Sequence, residues 1–111
     1  MKLKVSPING WGWFDGKGGA MDVPPPFEVE VTVTQAGDPF TSVLGQMAPG
    51  AHPLAGKWLI LTPRRTSFAQ GFEGYCNVFG FDAQPTVPKI NEALADTPSL
   101  TGSVLVDEII D

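Results

Sequence analysis

The sequence has little of the chemistry that enzymes use. Its 111 residues include one histidine, His52, and one cysteine, Cys76. A Ser-His-Asp or Cys-His catalytic device would have to use His52, which lies between prolines in APGAHPLAG, and no G-x-S-x-G element occurs in the chain. We interpret His52 as an exposed loop residue, and the sequence predicts that the protein is not an enzyme.

Residues that hold metals or phosphates are also scarce. One Cys and one His cannot form a closed zinc site without two carboxylates. Asp15 and Asp22 flank the glycine-rich GKGG, but this stretch lacks the dense oxygen ligands of an EF-hand and the G-x-x-x-x-G-K-[ST] pattern of a P-loop. We interpret it as a hairpin tip, and we expect neither a metal nor a cofactor.

A single cysteine excludes an internal disulfide. The neighbours of Cys76 in the sequence are Tyr75 and Asn77, and they supply neither a cation nor a helix N-terminus that would stabilise a thiolate. The sequence therefore predicts a buried, unreactive thiol.

Long apolar runs are absent as well. The longest are a few residues, as in WLIL (58–61), whereas a helix needs about 20 apolar residues to cross a bilayer. The first ten residues, MKLKVSPING, contain no apolar core of signal-peptide length. We expect no association with a membrane.

Basic residues are few. The chain has 7 Lys and Arg against 12 Asp and Glu, a net charge of −5, and its one basic pair is Arg64-Arg65. Affinity for nucleic acid comes from clustered Lys and Arg side chains. The charge balance therefore argues against sequence-specific binding of nucleic acid.

Glycine, proline and apolar residues are what the chain has in abundance. It contains 13 glycines and 11 prolines, and 42% of its residues are hydrophobic. The apolar content excludes general disorder, and the length is that of one domain. We predict a single domain over residues 1–111.

The remaining patterns favour strands. FEVEVTVT (27–34) alternates apolar and polar residues after a run of three prolines, and KLKVS (2–6) alternates as well. KWLILT (57–62) is continuously apolar, so both of its faces should be covered. We expect further strands in SVLVDEII (103–110) and in FAQGFEGYCNVFGFDA (68–83).

Two segments are more ambiguous. PKINEALAD (88–96) begins with a proline suited to a first helical turn and indicates a short helix, although a strand is an alternative. Residues 36–56 are long for a connection and are interpreted as an extended loop or arm, with one helical turn in TSVLGQM (41–47). Together these patterns predict an all-β fold, a small β-sandwich or barrel with at most one short helix and a long middle loop.

The aromatic stretch 68–83 has two unequal faces when it is read as a strand. Tyr75, Phe79 and Phe81 form a ridge that can fill a core between sheets. The opposite face is nearly flat, which lets another backbone come close. We therefore expect the ridge to point inward and the flat face to meet a neighbouring subunit; its interface candidates are Gly74, Cys76, Val78 and Gly80.

Other aromatic residues and two glutamates complete the candidate sites. Trp11 and Trp13 in GWGWF are predicted to fill a core or a subunit interface, and if exposed they would make a sugar-stacking pair. Phe40, in the arm, is a further interface candidate. Glu28 and Glu30 share the polar face of strand 27–34, which indicates a solvent face or the lining of a water-filled lumen.

The C-terminal half contains an ordered series of short features: the strand GKWLILTPR, then Phe72-Glu73-Gly74-Tyr75, the connection from Pro85 to Pro88, and Leu100-Thr101-Gly102. Over residues 57–106 this order resembles the closing segment of long-tailed bacteriophage tail-tube (major tail) proteins. The resemblance implies a β-sandwich or barrel subunit of a virus particle, made in the host cytoplasm and stacked in hexameric rings around a DNA conduit.

In that setting the resemblance implies self-association and contact with other virion proteins. The acidic face of Glu28 and Glu30 would repel passing DNA, and the arm 36–56 would reach a neighbouring ring. Two alternatives stay open. One is a capsid decoration (cement) protein, commonly trimeric; the other is a small monomeric β-domain that binds a carbohydrate or another protein.

Overall fold

The computed structural model describes residues 1–8, 13–14, 19–34, 42–63, 75–95 and 101–110. Eight strands and one helix lie in these ranges. They are β1 (Lys2–Pro7), β2 (Trp13–Phe14), β3 (Ala20–Met21), β4 (Phe27–Thr34), β5 (Ser42–Gln46), β6 (Trp58–Pro63), β7 (Tyr75–Phe81), α1 (Val87–Leu94) and β8 (Gly102–Ile110).

Six of the strands close into a barrel in the order β1-β4-β5-β6-β7-β8. Every neighbouring pair is antiparallel, and β8 returns to pair with β1, with Val106 opposite Val5. Closure gives each barrel strand a neighbour on both sides. The prediction of a small all-β fold with one short helix is confirmed, and the barrel is the form that it takes.

The alternating pattern of β4 places its apolar side chains in the barrel interior. Phe27, Val29 and Val31 are buried, whereas Glu28 and Glu30 are exposed. Because strand side chains alternate between two faces, the same rule applies to Leu3 and Val5 of β1. The interior cluster consists of Leu3, Val5, Trp13, Phe27, Val29, Val31, Val43, Met47, Leu54, Leu59, Leu61, Cys76, Val78, Val104 and Val106.

Residues 42–46 correct the prediction of a loop over 36–56 and of a helical turn over 41–47. They form β5, in which Val43 lies opposite Leu61 of β6 and Gly45 lies opposite Val31 of β4. A Cβ atom at position 45 would collide with the backbone carbonyl oxygen of Glu30. Glycine therefore permits a close approach of β4 and β5 here. The five residues of β5 are too few for an alternating pattern in the sequence to predict a strand.

The two-sided burial predicted for residues 57–62 is confirmed in β6. Leu59 and Leu61 point into the barrel, whereas Ile60 belongs to a second buried cluster with Phe79 and Ile90. This second cluster lies between the barrel wall and α1, so the helix is what covers the outer face of β6.

Residues 87–94 form the helix, which decides between the helix and strand alternatives. Thr86 is the N-cap, and its Oγ1 accepts a hydrogen bond of 3.4 Å from the Lys89 backbone N–H. Pro88 occupies the first turn, where its missing N–H costs nothing. Ile90 is buried against the barrel, so a helix too short to be stable alone is held by packing.

The two faces of β7 are the reverse of those predicted. Cys76 and Val78 point into the barrel, and Phe79 lies outside it under α1, with Phe81 packed against the same cluster. The barrel interior is already filled by side chains that include Trp13, Phe27 and Leu59, and from β7 it takes the face with the smaller side chains. The rings are instead buried by the helix on the outside.

Candidate functional site

One end of the barrel is covered by two segments that are not barrel strands. The hairpin of β2 and β3 and the loop 47–57 both lie where β1 and β7 end and where β4, β6 and β8 begin. We call this the hairpin end. The opposite end contains the start of β1 and the last residues of β8.

Trp13 closes the hairpin end from the inside. Its side chain is 2% exposed, and its indole Nε1 donates a hydrogen bond of 3.2 Å to the Ile8 carbonyl oxygen. The next backbone N–H, that of Phe14, donates to the Thr101 carbonyl oxygen at 2.9 Å. These contacts attach the hairpin to the beginning of β8, so it is a fixed part of the barrel.

His52 anchors the loop 47–57. Its Nδ1 accepts a hydrogen bond of 3.1 Å from the Leu54 backbone N–H, and Nε2 lies 2.9 Å from the Pro25 carbonyl oxygen. Because Nδ1 accepts, the neutral ring carries its proton on Nε2 and donates it to Pro25. The ring also packs edge-on against Phe27, with centroids 5.1 Å apart.

The expectation of an exposed loop histidine is therefore wrong, since His52 is half-buried and both ring nitrogens are bonded. The Leu54 N–H is two residues away, whereas Pro25 lies 27 positions earlier and nothing in the sequence of the loop indicates it. In this arrangement neither nitrogen is directed at a nucleophile, and the ring serves to hold the loop against residues 22–26.

A cleft of about 230 Å³ opens between the hairpin and the loop. Most of its wall is apolar, and Phe14 at its rim is 42% exposed. The polar groups in the wall are Lys57 and Thr101. The lining residues are Phe14, Met21, Pro53, Leu54, Lys57, Gly80 and Thr101.

The two polar lining groups are oriented by neighbours. The Lys57 Nζ contacts the Asp82 Oδ1 at 2.9 Å, and the Thr101 Oγ1 accepts a hydrogen bond of 2.9 Å from the Gly80 backbone N–H. An ammonium group has three protons and a hydroxyl that accepts still has one to donate. Both groups can therefore donate hydrogen bonds to a molecule in the cleft.

A second, shallower groove continues from Gly80 along residues 80–86 to Lys89. Its volume is about 430 Å³, and it runs past Asp82 towards the first turn of α1. The pair Lys57–Asp82 stands between the cleft and this groove.

Three of the interface candidates lie in the core: Trp13, for which the core was one of the two predicted places, and Cys76 and Val78, for which it corrects the prediction. Trp13, Cys76 and Val78 are at most 2% exposed and belong to the interior cluster, so no neighbouring subunit can contact them. The inward direction of this face of β7 is the reason. The burial predicted for the Cys76 thiol is confirmed.

The remaining interface candidates divide into two groups. Gly80 is half-buried and lines the cleft. Trp11, Phe40 and Gly74 lie outside the described residues.

Glu28 and Glu30 are exposed on the outer face of β4. The register places Glu28 opposite Lys4 and Glu30 opposite Lys2 on β1. Since the barrel interior is filled with apolar side chains, the two glutamates belong to the outer surface of the barrel wall.

The cleft itself was not predicted from the sequence. Its rim residue Phe14 and its neighbour Trp13 form a two-residue strand, so alternation buries the tryptophan and exposes the phenylalanine. That alternation was the available signal, but it is too short to show which ring faces out.

The described parts of the chain contain no group of three or more His, Cys, Asp or Glu residues able to hold a metal ion. None of their helices is both long and apolar enough to cross a bilayer. What the hairpin end offers chemically is an apolar cleft with an exposed ring and two hydrogen-bond donors.

Comparison of the chain with protein-family models, with curated proteins and with solved structures gives no match.

Proposed function

We propose that the protein is a structural subunit of a virus particle that assembles with copies of itself, as a bacteriophage tail-tube ring. The observation that carries the proposal is the hairpin end, where an apolar cleft lies beside the exposed ring of Phe14. Its role is to form contacts between subunits, and it performs no catalytic step.

Part of the exposed apolar surface lies at this end. Within the described ranges four large hydrophobic side chains are exposed, and two of them, Phe14 and Val23, belong to the hairpin and the segment that leaves it. Burying apolar surface yields about 25 cal/mol per Å², and such patches mark interaction sites in soluble proteins. Self-association would cover them.

The distribution of charge fits an interface at the hairpin end. The outer faces of β1, β4 and β8 carry exposed charges: Lys2, Lys4, Glu28, Glu30, Asp107 and Glu108. At the hairpin end the described charged groups are Asp22, Lys57 and Asp82, around the apolar cleft. Interfaces between proteins have this arrangement of an apolar centre and a polar rim.

The choice of a tail tube draws on the resemblance of residues 57–106. Of its features, the first strand contains β6, Tyr75 begins β7, Pro85 to Pro88 lie in the connection to α1 and in its first turn, and Gly102 begins β8, whereas 72–74 and 100 lie outside the described residues. The side of the barrel with Glu28 and Glu30 carries four carboxylates and two lysines. An acidic surface facing a lumen would not retain DNA, because retention comes from basic contacts with phosphates.

The alternative of a monomeric carbohydrate-binding domain is weakened by the burial of Trp13. The sugar-stacking pair needed both Trp11 and Trp13 exposed, and Trp13 is inside the barrel. A capsid decoration protein remains the second candidate, since it uses the same kind of apolar contact in a trimer.

The mass of the purified protein tests the proposal. Sedimentation and native mass spectrometry over a wide range of concentrations should show six-fold assemblies. Threefold assemblies would favour the decoration protein, and a monomer at every concentration would contradict both forms.

Two matched variants locate the contact. Phe14→Glu should shift the protein towards monomer, because it places a charge in the proposed interface. Val87→Glu is the control, since Val87 is 47% exposed on α1 and is not among the residues that line the cleft. If both variants assemble equally, the interface is not at the hairpin end.

A further inference from the structure

The segment 22–26, DVPPP, joins the hairpin to β4 and presents an extended apolar surface. Val23, Pro25 and Pro26 are exposed, and Pro24 is buried. Three consecutive prolines favour the polyproline II conformation and remove three backbone N–H donors. The segment thus offers apolar rings and carbonyl acceptors to whatever contacts it.

His52 holds this segment at one point by a hydrogen bond. Its Nε2 donates to the Pro25 carbonyl oxygen, and the chain continues directly into Phe27 at the start of β4. A segment that is already held in one conformation loses little entropy when it binds.

The cleft has the complementary chemistry. Proline-rich segments in polyproline II conformation bind in aromatic-lined grooves, and Phe14 provides an exposed ring at the rim of the cleft. Lys57 and Thr101 supply donors for the carbonyl groups of such a segment. The donors are in the cleft and the acceptors are in the segment.

The charges are complementary as well. Asp22 is exposed at the beginning of the segment, and Lys57 is in the cleft wall, where its ammonium contacts Asp82. The Asp82 side chain is 75% exposed, and exposed ion pairs are weak. Lys57 can therefore add a second carboxylate partner at little cost.

We propose that the cleft of one copy binds residues 22–26 of a neighbouring copy, with Asp22 of the bound segment against Lys57. This inference rests on the proposed self-assembly and names the surfaces that form it. When each copy binds the segment of the next copy in one direction, the contact is heterologous and closes into rings or continues as filaments, whereas two copies that exchange segments reciprocally form a two-fold dimer.

The barrel order is suited to such a repeat. The cleft includes Gly80 of β7, and the segment leads into β4, which lies across the closed six-stranded barrel from β7. Each copy thus presents the β7 wall of the cleft on one side of the hairpin end and the segment that leads into β4 on the other.

Charge reversal tests the contact in the full chain. Asp22→Lys and Lys57→Glu should each weaken assembly about tenfold, because each places like charges together in the interface. The double variant Asp22→Lys/Lys57→Glu should recover most of the wild-type assembly. Lys4→Glu on β1 and Glu92→Lys on α1, both exposed and outside the cleft and the groove, are the matched controls and should assemble like the wild type.

A synthetic peptide with the sequence MDVPPPF provides a measurement that does not depend on a variant folding. It should compete with assembly of the wild-type protein and shift the amide resonances of the cleft residues, whereas a scrambled peptide should do neither. Thermal unfolding of each variant identifies any loss of assembly that comes from loss of folding.

The outcomes separate this inference from the proposed function. If the wild-type protein assembles and the charge reversals and the peptide leave assembly unchanged, the exchange of segments is wrong and the structural role stands. If the wild-type protein is monomeric at every concentration, both are overturned. Loss in the single variants with recovery in the double variant supports the exchange.

Discussion

The indole of Trp13 lies directly over Gly102, the first residue of β8. A Cβ atom added at position 102 would be 2.5 Å from the indole Cε2 and Cε3 atoms, closer than real Cβ contacts come. The hairpin can close the barrel because Gly102 has no side chain and therefore leaves room for the indole. This relationship links residues 89 positions apart and sets the position of the cleft beside Phe14.

Gly102→Ala is expected to destabilise the barrel by about 1 to 3 kcal/mol, as over-packing of a dense core does. Urea unfolding should show a lower midpoint. Gly80→Ala is the comparison variant and should cost less, because a Cβ at position 80 would come no closer than 3.3 Å to its neighbours. In a Trp13→Leu background the same change at 102 should cost less, and an equal cost in both backgrounds would contradict the packing described.

Ile90→Ala is expected to destabilise the protein by about 2 to 4 kcal/mol, because it removes a buried side chain from the cluster with Ile60 and Phe79. Glu92→Ala on the exposed side of α1 should change stability by less than about 0.5 kcal/mol. Equilibrium urea unfolding of both variants makes the comparison. Similar midpoints for the two would show that α1 does not cover the barrel wall.

Cys76 is expected to be unreactive in the folded protein, since its side chain is 0% exposed and thiolate chemistry requires access. A chromogenic thiol reagent should label the urea-unfolded chain fully during a period in which the native protein stays unlabelled. The chain has one cysteine, so the signal reports this site alone. Equal labelling rates in the two states would place the thiol outside the core.

His52→Phe keeps an aromatic ring against Phe27 and removes both hydrogen bonds of the imidazole. The Leu54 N–H then lacks its acceptor, which should cost about 1 to 3 kcal/mol. Amide hydrogen exchange at Leu54 should become faster. His52→Asn, whose side-chain oxygen can replace Nδ1 as an acceptor, is expected to retain part of the protection; slow exchange in His52→Phe would show that the imidazole does not hold the loop.

Much of the fold is visible in the sequence where a pattern is long enough to repeat. The alternation over residues 27–34 indicates β4, and the continuous apolar run over 57–62 indicates a strand covered on both faces. Pro88 and the spacing of apolar residues indicate α1. These features are local, because they depend on the period of one element and on the residues at its ends.

The candidate site is less accessible from the sequence because it is assembled from distant segments. The cleft combines residues of the hairpin, the loop 47–57, β7 and the start of β8. His52 and Pro25 are bonded across 27 positions. A periodic pattern within one strand or helix cannot indicate contacts between residues so far apart in the chain.

The sequence by itself determined that the chain is mostly β, with one cysteine, one histidine and few basic residues, because composition and alternation depend on the residues alone. Only the tertiary structure decided which face of each element points inward. A period of two divides β7 into Cys76 and Val78 on one side and Phe79 and Phe81 on the other. Closure of the barrel, with α1 packed outside it, places Cys76 and Val78 within and Phe79 and Phe81 beneath the helix.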